Sequence, residues 1–200
     1  MRYFSFLALL ALSTATARGG ELTVSVTANG APVRDAVVMV VPVKPVAAKP
    51  GQSLKVEQRD IQFQPFVLVV PVGSEIEFPN RDMVRHHVYS FSPAKRFELK
   101  LYGKQEERTV RFDKAGAVAL GCNIHDRMTA FIRVVDTAFA VKTGADGRAR
   151  IVGLPDGAAT VRVWHPYLKA PGNELSRKVA LGVSTAETVQ VELRRPVDVF

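Results

Sequence analysis

One cysteine, Cys122, is all that the 200-residue chain contains, so no disulfide closes within it. After the opening residues, no apolar run reaches the length that a membrane helix needs. Helical periodicity of any length is missing, which leaves strands as the means of building a core. No nucleophile stands beside a base and no catalytic pair is visible, so nothing in the sequence predicts an enzyme. The basic residues form no block. Lys and Arg number 27 against 19 Asp and Glu, a net charge of +8, and their scatter reads as a solvated basic surface rather than a nucleic-acid face.

What the chain does have begins with "MRYFSFLALLALSTATARGG". An early Arg2, an apolar stretch from Phe4 to Leu12 and small residues ending at Ala17 predict a secretory signal peptide cleaved after Ala17. The mature chain is then expected in the periplasm or secreted, with no transmembrane segment. Thiols oxidise in such compartments. An unpaired Cys122 there is buried and inert, joined to another molecule, or held by a metal.

Nearly every segment reads as strand. "LTVSV", "DAVVMVV", "FVLVV", "EIEF", "TVRF", "AVAL", "FIRVV", "RARIV" and "TVRVW" are short, rich in Val, Ile and Phe, and bounded by Gly, Pro, Asn or Asp. An all-β architecture follows. Alternation turns Ile76 and Phe78 inward against Glu75 and Glu77, and Val110 and Phe112 inward against Thr109 and Arg111.

Two joints divide the chain. The proline-rich segment from Pro42 to Ser53 reads as a linker, and a softer joint falls near residues 136–140. Between them, residues 54–136 are long enough for one sandwich. On the far side, "TGADGRARIVGLPDGAATVRVWHP" carries turns at Asp146-Gly147 and Pro155-Asp156-Gly157, each next to a strand. This resembles the second half of a carboxypeptidase regulatory-like (transthyretin-like) domain. The first half of that pattern stands before the linker, in "VTANGAPVRDAVVMVV", with a turn at Gly30 to Val33. The expectation is one discontinuous sandwich from residues 20–45 and 138–195, with the central unit inserted in its loop.

In the central unit, Val118, Leu120 and Cys122 share the core face of one strand, so the thiol leaves that strand's end. His125 and Met128 follow in the loop, "GCNIHDRM". A further ligand is available upstream in "FPNRDMVRHHVYSF", which holds His86 and His87. Two His, one Cys and a weak axial Met make up a blue-copper electron-transfer site.

With these residues in place, the segment from Leu54 to Asp136 resembles a cupredoxin of the plastocyanin and amicyanin kind. "IQFQPFVLVVPVGSEIEFPN" is similar to that family's opening and "VRFDKAGAVALGCNIHDRM" to its closing strand and ligand loop, with the short Cys-x2-His-x2-Met spacing of amicyanins. More narrowly, "RHHVYSFSPAKRFELKLYG" and "GCNIHDRM" resemble exported proteins labelled methylamine utilisation proteins, a label that describes neighbours and no substrate. The resemblance implies a cupredoxin Greek-key sandwich inserted in a small transthyretin-like sandwich. It implies copper held by His86, Cys122, His125 and Met128, with His87 the alternative to His86. The family's Asn-x4-Pro-His-Asn register puts His86 in the ligand place, with His87 where the family has asparagine and Arg85 where it has proline.

The function implied is one-electron transfer through a type 1 copper site, with the ring edge of His125 as the electron's route. Lys95, Arg96, Lys100 and Lys104 follow the first ligand strand and offer a docking patch for an acidic redox partner. Two alternatives stand beside this reading: a copper-delivery module, and a carbohydrate-binding-like adaptor with structural copper. His165, in "VWHPYL", has no neighbouring ligand types and reads as structural.

Overall fold

The computed structural model describes residues 19–51 and 54–194. The expected signal peptide lies outside them, as do residues 52 and 53 of the proline-rich segment. Among the described residues the one helical piece is a 3-10 turn, Pro171–Asn173. The protein is all-β, as its short β-branched runs predict.

In the first sheet, β1 (Gly20–Ala28) lies between β15 (Arg148–Leu154) and β18 (Ser184–Gln190), and β2 (Ala31–Pro32) folds back on β1. The second sheet runs β14 (Phe139–Lys142), β3 (Val37–Pro42), β16 (Gly157–Trp164), β17 (Glu174–Leu181). The third runs β10 (Lys95–Tyr102), β9 (His86–Ser92), β12 (Gly116–Gly121), β13 (Thr129–Val135), β7 (Val67–Pro71). A fourth holds β11 (Thr109–Phe112), β8 (Ser74–Glu77) and β4 (Leu54–Lys55), beside a ribbon of β5 (Glu57–Arg59) and β6 (Gln62–Gln64).

Alternation along the strands distributes side chains over three apolar layers. Leu22, Val24 and Val26 of β1 meet Val38 and Val40 of β3 and Val161 and Val163 of β16 between the first two sheets. Ile76, Phe78, Val110 and Phe112 meet Val88, Val118, Leu120 and Ile132 between the last two. The second and third sheets also bury their backs on each other, through Val37, Met39 and Trp164 on one side and Val67 and Val135 on the other. Strands β3 and β13 are thereby covered on both faces, which is why "VVMVV" and "FIRVV" run apolar without alternation. The exception in β13, Arg133, stacks over Trp164 at 5.5 Å and pairs with Glu174 of β17. Each large apolar side chain fully buried in these layers stabilises the fold by about 1.5–3 kcal/mol.

The flanks share sheets. β1 pairs with β15 and β18, and β3 with β16, Val40 standing opposite Val161. The proline-rich segment, read as a linker, is tied to the second joint. Ala47 bridges Thr137, Ala48 N–H donates to Asp136 O at 3.3 Å, and Ala138 N–H donates to Val46 O at 2.8 Å. The joint expected at 136–140 is also partly strand, because Phe139 begins β14. The first turn sits at Asn29-Gly30, earlier than expected, with φ of 50° and 79°. An Asn-Gly pair takes these left-handed values readily, and they match the twist of a two-residue hairpin.

Candidate metal centre

The ligand loop is the hairpin connection between β12 and β13, whose last pair is Gly121 with Thr129. Met128 N–H donates to His125 O at 2.9 Å and closes a turn within it. Its ends are anchored and its middle is open: Cys122 and Met128 are buried in the core, while Asn123, Ile124, Asp126 and Arg127 are exposed and His125 is half-buried. β9 pairs antiparallel with β12 through Tyr89 and Gly121, which carries its first residue, His86, to the same end of the sheet. Glycine at 121 leaves room for the Tyr89 ring against this strand end. A Cβ there would lie 2.7 Å from the Tyr89 ring.

Three donors converge as a result. One ligand atom each from His86, Cys122 and His125 lie within 4.8 Å of one another. The His86 and His125 Nδ1 atoms are 3.2 Å apart, and Cys122 Sγ is 3.7 Å from His125 Nδ1. Bonds of about 2.0–2.3 Å to a first-row metal imply donor separations of about 3.3–3.8 Å, close to the 3.2 and 3.7 Å of these two pairs. Met128 is 1% exposed and shares the core cluster of Cys122.

Adjacent residues on a strand face opposite ways, and the two histidines obey this. His86, wholly buried, turns to the sulfur. His87 turns to the other face, where its Nε2 meets Glu98 Oε1 at 3.0 Å and its ring lies 5.8 Å from that of Tyr89. The structure thus brings together His86, Cys122 and His125 and leaves His87 outside the group.

A polar frame surrounds the group. His86 Nε2 meets Asp82 Oδ2 at 2.7 Å, and the Asp82 carboxylate also accepts the amides of Asp60 at 2.8 Å and Ile61 at 3.1 Å. Burial raises the Asp82 carboxyl, but the hydrogen bonds from His86, Ile61 and Asp60 outweigh it and hold the group below its ordinary value. Asn80 Nδ2 donates to Val84 O and Tyr102 O, and its Oδ1 accepts the Asp82 amide. Tyr102, paired with His86 across β9 and β10, donates to Phe78 O at 2.6 Å and accepts from Gln58 Nε2 at 2.5 Å. Burial pushes its hydroxyl well above the ordinary range. Sequence reasoning passed over Asp82, Gln58 and Tyr102. The signal for Asp82 was its place four residues before His86; Gln58 and Tyr102 had none.

His165 lies among the flanking strands, buried, with Nδ1 accepting the Tyr167 amide at 3.2 Å. Burial lowers its basicity, and the nearby Asp35 opposes this in part. Arg96 and Lys100 are exposed on β10 and Lys104 just beyond it, with Lys95 half-buried. Glu98 is exposed among them.

No family model matches the chain, and no curated protein does either. Solved structures do. A purple cupredoxin from Nitrosopumilus maritimus is 18% identical over 42% of this chain and 100% of its own, with a TM-score of 0.38. A copper-containing nitrite reductase from Thermus scotoductus SA-01 is 26% identical over 56% of this chain and 28% of its own, with a TM-score of 0.41. An amicyanin variant in the Cu(I) state is 20% identical over 49% of this chain and 98% of its own, with a TM-score of 0.39. Two of these three are named for copper and the other as a cupredoxin, and this chain holds a His-Cys-His group that could take a metal ion.

Proposed function

We propose that the protein is an exported one-electron carrier, not itself an enzyme, with a single copper held by His86, Cys122 and His125 and weakly by Met128. The observation that carries this reading is the convergence of one sulfur and two ring nitrogens at metal-binding distance. Thiolate and imidazole together suit copper, and two His with one Cys and a distant Met are the donors of electron-transfer sites. Copper bound there would supply one-electron cycling. The chain's own part is to hold the donors still. Cys122 and Met128 are fixed by the core and His86 by a strand start, so the donor set changes little when charge changes.

His125, half-buried between exposed residues at the middle of the ligand loop, offers a way from the site to solvent. Arg96, Lys100 and Lys104 form a basic patch suited to an acidic redox partner. Residues 54–136 form the cupredoxin-like unit. The strands of 20–45 and 138–195 form a discontinuous, carboxypeptidase regulatory-like sandwich around it, a reading supported by the pairing of β3 with β16.

The exposed middle of the ligand loop favours a second reading, copper delivery, since an open loop lets metal exchange. Voltammetry and a chelator challenge separate the two. A carrier gives one reversible electron per copper and keeps its metal against a chelator. A delivery module surrenders copper rapidly and holds no stable potential.

A further inference from the structure

Asp82 holds an unusual position. Its side chain is 13% exposed, yet it binds three donors: the ring of His86 and the amides of Asp60 and Ile61. Those amides belong to the turn between β5 and β6, where both residues are left-handed, at φ of 55° and 56°. A β-branched residue such as Ile61 rarely adopts that conformation. The turn is thus held in a form that aims two N–H groups at one carboxylate, and Asn80 fixes the Asp82 backbone from the other side. All of this bears on one ring nitrogen, the Nε2 of His86, while Nδ1 of the same ring faces the cluster.

Resting on the metal-site reading above, we propose that Asp82 is a positioning residue for the metal. It keeps the His86 proton on Nε2, so that the Nδ1 lone pair is presented to the ion, and its negative charge favours the more highly charged oxidation state. A carboxylate accepting from the far nitrogen of an imidazole fixes ring and tautomer and makes the near nitrogen a better donor. The rest of the geometry agrees. With the His86 proton engaged by Asp82, its Nδ1 is left as an acceptor facing His125 Nδ1 at 3.2 Å. The added charge acts through one imidazole only, and it stabilises a dication more than a monocation.

Two measurements on the wild type, Asp82→Asn and Asp82→Glu test this. In the metal-free protein at mildly alkaline pH, ring nitrogen NMR is expected to place the His86 proton on Nε2 in the wild type, and to show a mixture of tautomers in Asp82→Asn. In the copper-loaded proteins, Asp82→Asn is expected to bind Cu(II) about 10–100-fold more weakly, with a smaller loss for Cu(I). Each tenfold of that difference raises the reduction potential by about 59 mV for a one-electron couple. Asp82→Glu, which restores the charge, returns the potential toward the wild-type value.

A role confined to bracing the turn would lower thermal stability and leave the tautomer and the potential unchanged, and that result overturns the proposal. If Asp82→Asn fails to fold, Asp82→Glu decides: a wild-type tautomer and potential support the proposal, and a folded protein with the His86 proton on Nδ1 overturns it. A wild type that takes up no copper refutes the metal-site reading instead, and the NMR result still judges Asp82.

Discussion

The Nδ1 atoms of His86 and His125 stand 3.2 Å apart, although 39 residues separate them along the chain. The antiparallel pairing of β9 with β12 produces this contact, because it brings a strand start and a strand end to the same end of the sheet. His87 is one residue away in sequence and on the opposite face.

This relationship predicts an asymmetric pair of variants. His86→Ala removes one of three donors and abolishes the thiolate-to-copper absorption band. His87→Ala leaves that band in place and removes only its contacts with Glu98 and Tyr89. Visible spectra of the two copper-treated variants check the assignment. Equal loss in both would contradict it.

Ile61 is expected to be a strained position. At φ of 56° its β-branched side chain crowds the backbone, and glycine accepts that conformation freely. Ile61→Gly relieves this strain, although it also increases the freedom of the unfolded chain, so the net gain is about 1 kcal/mol or less. Chemical denaturation of the metal-free protein measures the sign.

Arg133, Arg162 and Glu174 link the second and third sheets. Glu174 accepts from both guanidinium groups, and the Arg133 side chain is 9% exposed. Burial already lowers the Arg133 pKa against the opposing charge of Glu174. Glu174→Ala therefore leaves a buried cation without its counterion, at about 3–5 kcal/mol of stability. Replacing Arg133 and Glu174 together by leucine recovers most of that loss. A thermal or denaturant midpoint that barely moves in Glu174→Ala would contradict this account of the interface.

His165 predicts a pH dependence. Burial lowers its folded pKa below the ordinary 6.5, so the unfolded chain takes a proton at a pH where the folded chain does not. Stability from this group is complete above pH 6.5 and declines as pH falls from there toward the folded value. His165→Asn retains an acceptor for the Tyr167 amide and removes the titration. Its stability is expected to vary less across that interval than the wild type's.

Legibility in the sequence followed physical contrast. The alternation in "EIEF" placed Ile76 and Phe78 inward, and both are wholly buried. The all-β class was equally readable, because the Val-rich runs are short and no helical period competes. Strands β10, β17 and β18 were not read as strands. "KRFELKLY" and "ELSRKVAL" carry charge on a solvated face, and that charge diluted the β-branched signal. Cys122 and His125 stood out because soft donors are few and close together there, whereas His86 was separable from His87 only through the register of the family that the segment resembles. Asp82 offered only its place four residues before His86, a weak signal, because a carboxylate in a polar loop resembles any other until the fold brings the β5–β6 turn and His86 to it.

Addition of Cu(II) to the protein and to Cys122→Ser, with the visible absorption of each recorded, decides whether copper binds through this sulfur. An intense thiolate-to-copper band in the wild type, absent from Cys122→Ser, is the predicted result. A colourless wild type, or a band that survives the loss of the sulfur, would contradict it.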